Sequence, residues 1–238
     1  NIIVDPNITL LALGGLSWPK LGSDGSWIEI LEKDDIKISK IQPTNCGFFV
    51  KWSNIFKNRF AGYPLKSIEL NFQNKKIKGE FIITKEGIEG GLIYSISSIL
   101  RENINEIGYA EIIIDLKPDF SIKKIRRLLL KPRLKLSTTN YLRKTLNLSE
   151  VAISLLMEFK NKEGKNNQQI SNLAHIIKNY KIILDKPFSI DRCISTAGGI
   201  SFKSINKDFT LINKPNTYVA GEMLDWEAPT GGYLLQAC

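Results

Sequence analysis

Three rhythms of apolar and polar residues run along the chain, and each predicts a different kind of element. Residues 9–13 (TLLAL) are apolar without a break and end on Gly14 and Gly15, the pattern of a strand covered on both faces of a sheet. From residue 35 to residue 81 the rhythm becomes alternation. IKISKI, GFFVKW, SIELNF and KIKGEFII predict short strands, and turn residues at Pro43-Thr44-Asn45, Gly62-Tyr63-Pro64 and 71–74 divide them into an antiparallel sheet or small barrel. GYAEIIIDLKPD predicts a further strand that ends at Pro118. Residues 180–191 turn strand-like again, with Pro187 as a boundary.

Between these strands the spacing is helical. Trp27, Ile28 and Leu31 form the buried side of a short helix with Ser23 or Asp24 as its N-cap, and Ser121 caps a second helix with Ile122, Ile125, Leu128 and Leu129 on one face. Gly87, Gly90 and Gly91 read as the start of a helix carrying Leu92, Ile96, Ile99 and Leu100. Two core stripes follow, Ala152, Leu155, Leu156 and Phe159, then Ile170, Leu173, Ala174 and Ile177, joined by the polar linker KNKEGKNNQQ. RCISTAGGISFKSIN predicts a strand, the glycine pair Gly198 and Gly199, and a return strand; FTLINKPNTYVAGE then leads into the last stretch.

That last stretch, residues 221–238 (GEMLDWEAPTGGYLLQAC), places an apolar strand, an acidic turn and two glycines before a new helix whose Leu234, Leu235 and Ala237 suit burial. Glycines at a helix start let backbone N–H groups approach a bound group, and the helix dipole adds roughly +0.5 charge there. A plain connection with a tight turn gives the same pattern.

Composition narrows the choice. A hydrophobic share of 43% and a charged share of 24% are ordinary for a globular chain, and no apolar run nears the ~20 residues of a membrane helix. Three cysteines, Cys46, Cys193 and Cys238, lack metal-ligand spacing and read as free thiols of a reducing cytoplasm. His175, the one histidine, sits on a helix, so neither a zinc site nor a histidine triad is expected. The net charge is +9, with its densest block at residues 121–135. There the cations cover one helix face and the apolar residues the other, so the block reads as a solvated face, and nucleic acid is not an expected partner. A binding module gripping nucleic acid or another acidic partner through residues 36–190, without redox activity, is the alternative.

Four motifs in order, LALGGLSWPKLGSDGSW, FIITKEGIEGGLIYSIS, CISTAGGISFKSI and NTYVAGEMLDWEAPTGGYLLQA, resemble the BaiN and aminoacetone-oxidase-like flavoproteins, closest to an uncharacterised subgroup. The resemblance implies an α/β fold, α+β overall: a partial Rossmann-like FAD-binding domain (1–35 and 191–238) interrupted by an inserted β-barrel and helical domain (36–190). It also implies an FAD-dependent oxidoreductase, with a small-molecule substrate and NAD(P)H as a candidate electron donor. Gly14, Gly15, Gly198, Gly199, Gly221, Glu222, Asp225, Thr230, Gly231, Gly232 and Tyr233 match positions near the cofactor, and Ser17 and Trp18 are candidates for the substrate side. No residue is singled out as general acid or base. Leu234 departs from the family's usual asparagine, and no G-x-G-x-x-G follows a strand. The chain is accordingly expected to be an internal piece of a longer flavoprotein.

Overall fold

The computed structural model describes residues 5–133, 135–163 and 170–238, without the side chains of 159–163, 170 and 171. The strand-like start at residues 1–4, Leu134 of the basic block, most of the 160–169 linker and the side chains of Phe159 and Ile170 therefore lie outside the described residues. In chain order the elements are β1 (Thr9–Leu11), α1 (Trp27–Glu32), β2 (Ile38–Thr44), β3 (Phe48–Phe49), α2 (Asn54–Phe60), β4 (Pro64–Phe72), β5 (Lys75–Ile83), β6 (Gly87–Glu89), α3 (Gly91–Tyr94), α4 (Ser97–Ile107) and β7 (Ala110–Asp115). There follow α5 (Ile122–Leu129), α6 (Thr138–Leu146), α7 (Glu150–Glu163), α8 (Ile170–Lys178), β8 (Tyr180–Leu184), β9 (Ser195–Ile200), β10 (Thr210–Leu211), β11 (Lys214–Val219) and α9 (Gly232–Ala237). The fold is mixed α and β, as the sequence predicts. The chain divides into one unit of Asn1–Gly47, Tyr94–Ile99 and Pro187–Cys238 and another of Phe48–Ile93 and Leu100–Lys186.

The second unit is built on a six-stranded antiparallel sheet in the order β3-β6-β5-β4-β7-β8. Alternation is the reason it forms: Leu65, Ile68, Leu70 and Phe72 of β4 and Phe81 and Ile83 of β5 are buried, and charged residues fill many of the places between. β4 slips register between Leu65 and Ile68, where Ser67 takes a left-handed φ of 54°, a bulge that keeps apolar side chains inward on both sides of it. Helices α2, α5 and α6 start on Ser53, Ser121 and Ser137, whose side chains accept hydrogen bonds from the backbone N–H of Phe56, Lys124 and Asn140. Such a cap contributes about 1 kcal/mol. Ser121 is a cap that the sequence predicts; the other prediction, Ser23 or Asp24 for α1, does not hold, since the N-cap there is Ser26 and its side chain makes no capping bond. Asp115 and Lys178 form a buried ion pair, and the Lys178 ammonium also donates to the carbonyls of Lys117 and Phe120. Those extra bonds offset the desolvation of the pair.

Gly87 behaves differently from expectation. It lies in strand β6, not at a helix start, and a Cβ there would fall 1.9 Å from the Phe48 carbonyl oxygen. Close approach of two strand backbones is what requires this glycine. Gly90, at φ 110°, ends the strand, and the helix begins only at Gly91.

The first unit has two small sheets: β1-β11-β10, with β1 parallel and β10 antiparallel to β11, and the antiparallel pair β2-β9. IKISKI therefore pairs with β9 and not with the other alternating strands, a pairing across some 155 residues that local pattern does not encode. β1 is shorter than its apolar run, with Leu10 65% and Leu13 51% exposed, so among the described residues it is covered on one face and not both. The return strand expected after Gly199 is a single turn at Phe202–Ser204. The core is Trp27, Leu31, Ile36, Ile200, Leu211, Val219, Met223 and Leu224, with Ile28 partly buried against it. Helix α1 is held by side-chain bonds: Trp27 Nε1 donates to the Gly14 carbonyl at 3.1 Å, and Asp24 Oδ1 accepts from the Ser26 N–H at 3.0 Å.

Candidate functional site

Three stretches that the sequence reading picked out meet inside the first unit, and each meeting requires a residue with little or no side chain. A Cβ on Gly15 would lie 2.2 Å from Thr196 Oγ1, one on Gly198 2.3 Å from the Lys40 carbonyl oxygen, and one on Gly199 2.3 Å from that of Met223. Gly198 and Gly199 also hold φ of 87° and 124°, a region that side chains rarely adopt. Polar contacts tie the same loops. The Leu13 N–H points at Met223 Sδ (3.1 Å), Leu16 N–H at Thr196 Oγ1 (3.4 Å), and Asp225 N–H at the Ile200 carbonyl (3.0 Å).

Other glycines in this region are open. At Gly221, Gly231 and Gly232 an added Cβ would meet nothing within 4 Å, although Gly221 and Gly231 have φ of 79° and 90°. Their conformation needs glycine, and their surroundings leave room for a group from outside. Gly14 stands between the two kinds, with Ser23 Oγ 3.2 Å from its built Cβ.

Glu222 follows the open Gly221 in the chain, and its Cβ lies 3.6 Å from where a Cβ on the packed Gly15 would fall. Its Oε1 is buried without a hydrogen-bond partner, which among the described residues is true of one other side-chain atom, Asn71 Oδ1. Burial pushes the Glu222 carboxyl up from its ordinary range, while the backbone amides of Thr196 and Gly15 pull the other way. A buried acceptor left unmade costs roughly 1–3 kcal/mol.

The loop from Asp225 to Thr230 is clamped by β2 and the residue after it. Ser39 Oγ donates to Asp225 Oδ2 and Thr44 Oγ1 to Glu227 Oε2, both at 2.6 Å. Asn45 Nδ2 donates to Ser195 Oγ (2.6 Å) and to the Ala228 carbonyl (2.8 Å), and Asn45 Oδ1 accepts from the Thr230 N–H (3.0 Å). Asn45 is 1% exposed and left-handed at φ 48°, so its amide is fully committed to holding this loop. The sequence predicts a turn at Pro43-Thr44-Asn45, but Pro43 and Thr44 end β2 and only Asn45 turns, into a role that the sequence does not announce. Asparagine's tolerance of a left-handed backbone was the one local signal.

Ser17 is 1% exposed and donates to the Ile194 carbonyl (3.2 Å), while Trp18 is 52% exposed with its Nε1 3.4 Å from the same oxygen. Tyr233, the second residue of α9, is 77% exposed, and Leu235 at 78% corrects the expectation of a buried helix: in six residues α9 buries no side chain. Burial raises the Cys193 thiol to about 11, with its Sγ against the Ile190 carbonyl (2.9 Å), and burial with the Glu222 charge raises Cys238. None of the three cysteines is in a disulfide. Among the described residues no three His, Cys, Asp or Glu side chains gather as a metal site, and no helix is long and apolar enough to cross a membrane.

A family model described as the HI0933-like protein barrel and H2TH domain matches residues 42–195, about two thirds of the chain. The match takes in the six-stranded sheet and helices α2 to α8, a segment that interrupts a unit closing around Gly15, Thr196 and Glu222. With that sheet and those helices the chain belongs to the HI0933-like family of FAD-dependent flavoproteins, whose activity at family level is oxidoreduction.

Proposed function

We propose that the protein acts as an FAD-dependent oxidoreductase on a small-molecule substrate, and that the first unit supplies residues around the redox end of the cofactor. The observation that carries this reading is at Glu222: a buried, unpartnered carboxylate oxygen on the residue that follows Gly221, a glycine at which a Cβ meets open space. An unmade acceptor fits a hydroxyl-bearing ligand such as the ribityl chain, because a donated hydrogen bond would remove its cost. The residues present therefore fit the group.

FAD, when bound, supplies the two-electron chemistry, with NAD(P)H the donor to be tested. The chain's own residues bind and orient. Glu222 accepts from the cofactor's hydroxyls, and the open backbones of Gly221, Gly231 and Gly232 allow close approach. The N–H groups at the start of α9, near Tyr233, would offset negative charge on the reduced ring. Gly15, Gly198 and Gly199 hold the loops together behind that surface, and Asp225 and Thr230 are the points at which Ser39 and Asn45 fix it. Gly14 lines the first loop, and the exposed face of Trp18 lies toward the substrate, with buried Ser17 behind it. On this reading residues 1–35 and 191–238 serve the cofactor, and 36–190 form the inserted domain.

The test is flavin content of the full-length protein by visible absorbance and chromatography of the released cofactor. Gly232→Leu is expected to lose flavin while keeping the melting temperature of the FAD-free parent. Undiminished FAD in that variant would rule out the α9 start as part of the site.

A further inference from the structure

The net charge of +9 is not spread over the molecule. Residues 120–149 contain nine cations and no carboxylate; with those nine set aside, 24 cations face 24 carboxylates in the rest of the chain. General lysine richness cannot produce that division, because it would leave the remainder basic as well.

The structure gives this segment a form. Helix α5 carries Lys123, Lys124, Arg126 and Arg127 exposed, and buries Ile125 and Leu129. The turn after it carries Lys131, Arg133 and Lys135, and α6 carries Arg143 and Lys144, all exposed. Tyr141 fastens the turn by donating to the Leu129 and Lys131 carbonyls at 2.8 and 3.1 Å, and Arg133 is spent on Leu136 and Thr138. Lys124 lies over the Phe120 ring at 3.6 Å. Among the described residues none of the nine pairs with a carboxylate, although Lys51, Arg59, Lys78, Lys178, Lys181 and Lys214 elsewhere do.

We propose that α5, its following turn and α6 form a docking surface for the phosphate backbone of duplex nucleic acid, reversing the solvated-face reading of the block. Three features select this partner. Helix α5 turns Ile125 and Leu129 inward and leaves one large apolar residue exposed, Leu130 at its C-cap, which falls short of the continuous apolar face that an interfacial helix buries in lipid. Lysine is depleted and aromatics enriched in protein interfaces, whereas the surface of this segment is lysine-rich, and its tyrosine, Tyr141, is buried. Stacking on unpaired bases needs exposed aromatic platforms, and here Phe120 is half-buried beneath Lys117 and Lys124. What remains is sequence-independent charge neutralisation, for which cations three and four residues apart on a helix, such as Lys123, Arg126 and Arg127, are spaced about 5–6 Å.

The experiment is fluorescence anisotropy of the full protein with a labelled random-sequence DNA duplex of about 20 base pairs. If about five phosphates are neutralised, affinity should fall roughly 500-fold between about 50 and 200 mM salt. The variant Lys123→Gln, Arg126→Gln, Arg127→Gln, Lys131→Gln should bind at least about tenfold more weakly at the lower salt. A charge-matched control, Lys75→Gln, Lys76→Gln, Lys203→Gln, Lys207→Gln, should stay within about threefold of the parent. Arg127→Gln alone, which tests the idea should the quadruple variant not fold, should lower the salt slope by about one. Equal loss in the control would overturn the proposal, as would binding indifferent to salt. So would competition by polyglutamate as effective as that of unlabelled duplex, or equal binding to phosphatidylserine vesicles with the same dependence on the α5 cations.

Discussion

The two units share an apolar core and glycines at close backbone approaches, and differ in which of the two dominates. In the unit of Phe48–Ile93 and Leu100–Lys186, large side chains such as Phe81, Ile83 and Ile112 fill the interior, and strand alternation decides which they are. In the other, Gly15, Gly198 and Gly199 bring backbone and small side chains into contact, and Asn45, Thr44 and Ser39 tie loops more than 180 residues further along. The first is the more sensitive to what is taken away, Gly87 apart, and the second to what is added. The difference has a functional sense: a regular sheet tolerates many surfaces, whereas backbone held against backbone fixes a few polar groups in place.

Substitutions can break that contrast. Phe81→Ala should have the largest effect, about 3–5 kcal/mol, by opening a cavity at a fully buried ring. Hydrogen exchange should rise first in β4 and β5. Gly199→Ala adds one carbon and should still cost about 3 kcal/mol, because φ of 124° is strained for alanine and the new Cβ meets the Met223 carbonyl. Its increased exchange should lie in β2, β9 and residues 221–225, and the same pattern of exchange in both variants would dissolve the distinction between the units.

Asn45→Ala should cost about 1–3 kcal/mol, since it strands the Thr230 N–H and the Ala228 carbonyl. On the flavin reading it should also reduce FAD retention at a distance from the cofactor, with Asn45→Asp recovering little because the Nδ2 donor is gone.

The smallest effect is expected at Glu222. Burial raises its pKa, so the native state holds its proton to higher pH than the unfolded chain, and ionisation removes stability as pH rises from the ordinary carboxyl range through the raised value. Glu222→Gln should therefore melt like the parent near pH 4. Toward pH 7 it should melt higher in the absence of FAD, by roughly 2–4 °C for each kcal/mol relieved. The same variant should hold FAD more weakly. A lower melting temperature at pH 7 would mean that the carboxylate is structural.

How much of this was readable in advance differs between the units. SIELNF, KIKGEFII and GYAEIIIDL announced β4, β5 and β7, and Ser121 announced the start of α5, because alternation and capping are interactions between near neighbours. Gly87 was legible as a necessary glycine but not as a strand residue, since the Phe48 carbonyl that demands it is 39 positions away. The pairing of IKISKI with β9 and the burial of Asn45 were not legible, for the same reason at greater range.

The motif around residues 221–238 shows both limits. By itself the sequence determined the residue types there: a glycine before an acid, two glycines before a helix, and their order along the chain. The sequence also determined, by count alone, that all the excess charge lies in residues 120–149. The tertiary structure decided which glycines are packed and which are open, and that Glu222 keeps a buried oxygen without a partner. Contact between segments some 180 residues apart depends on how the intervening chain folds, and no local propensity carries that information.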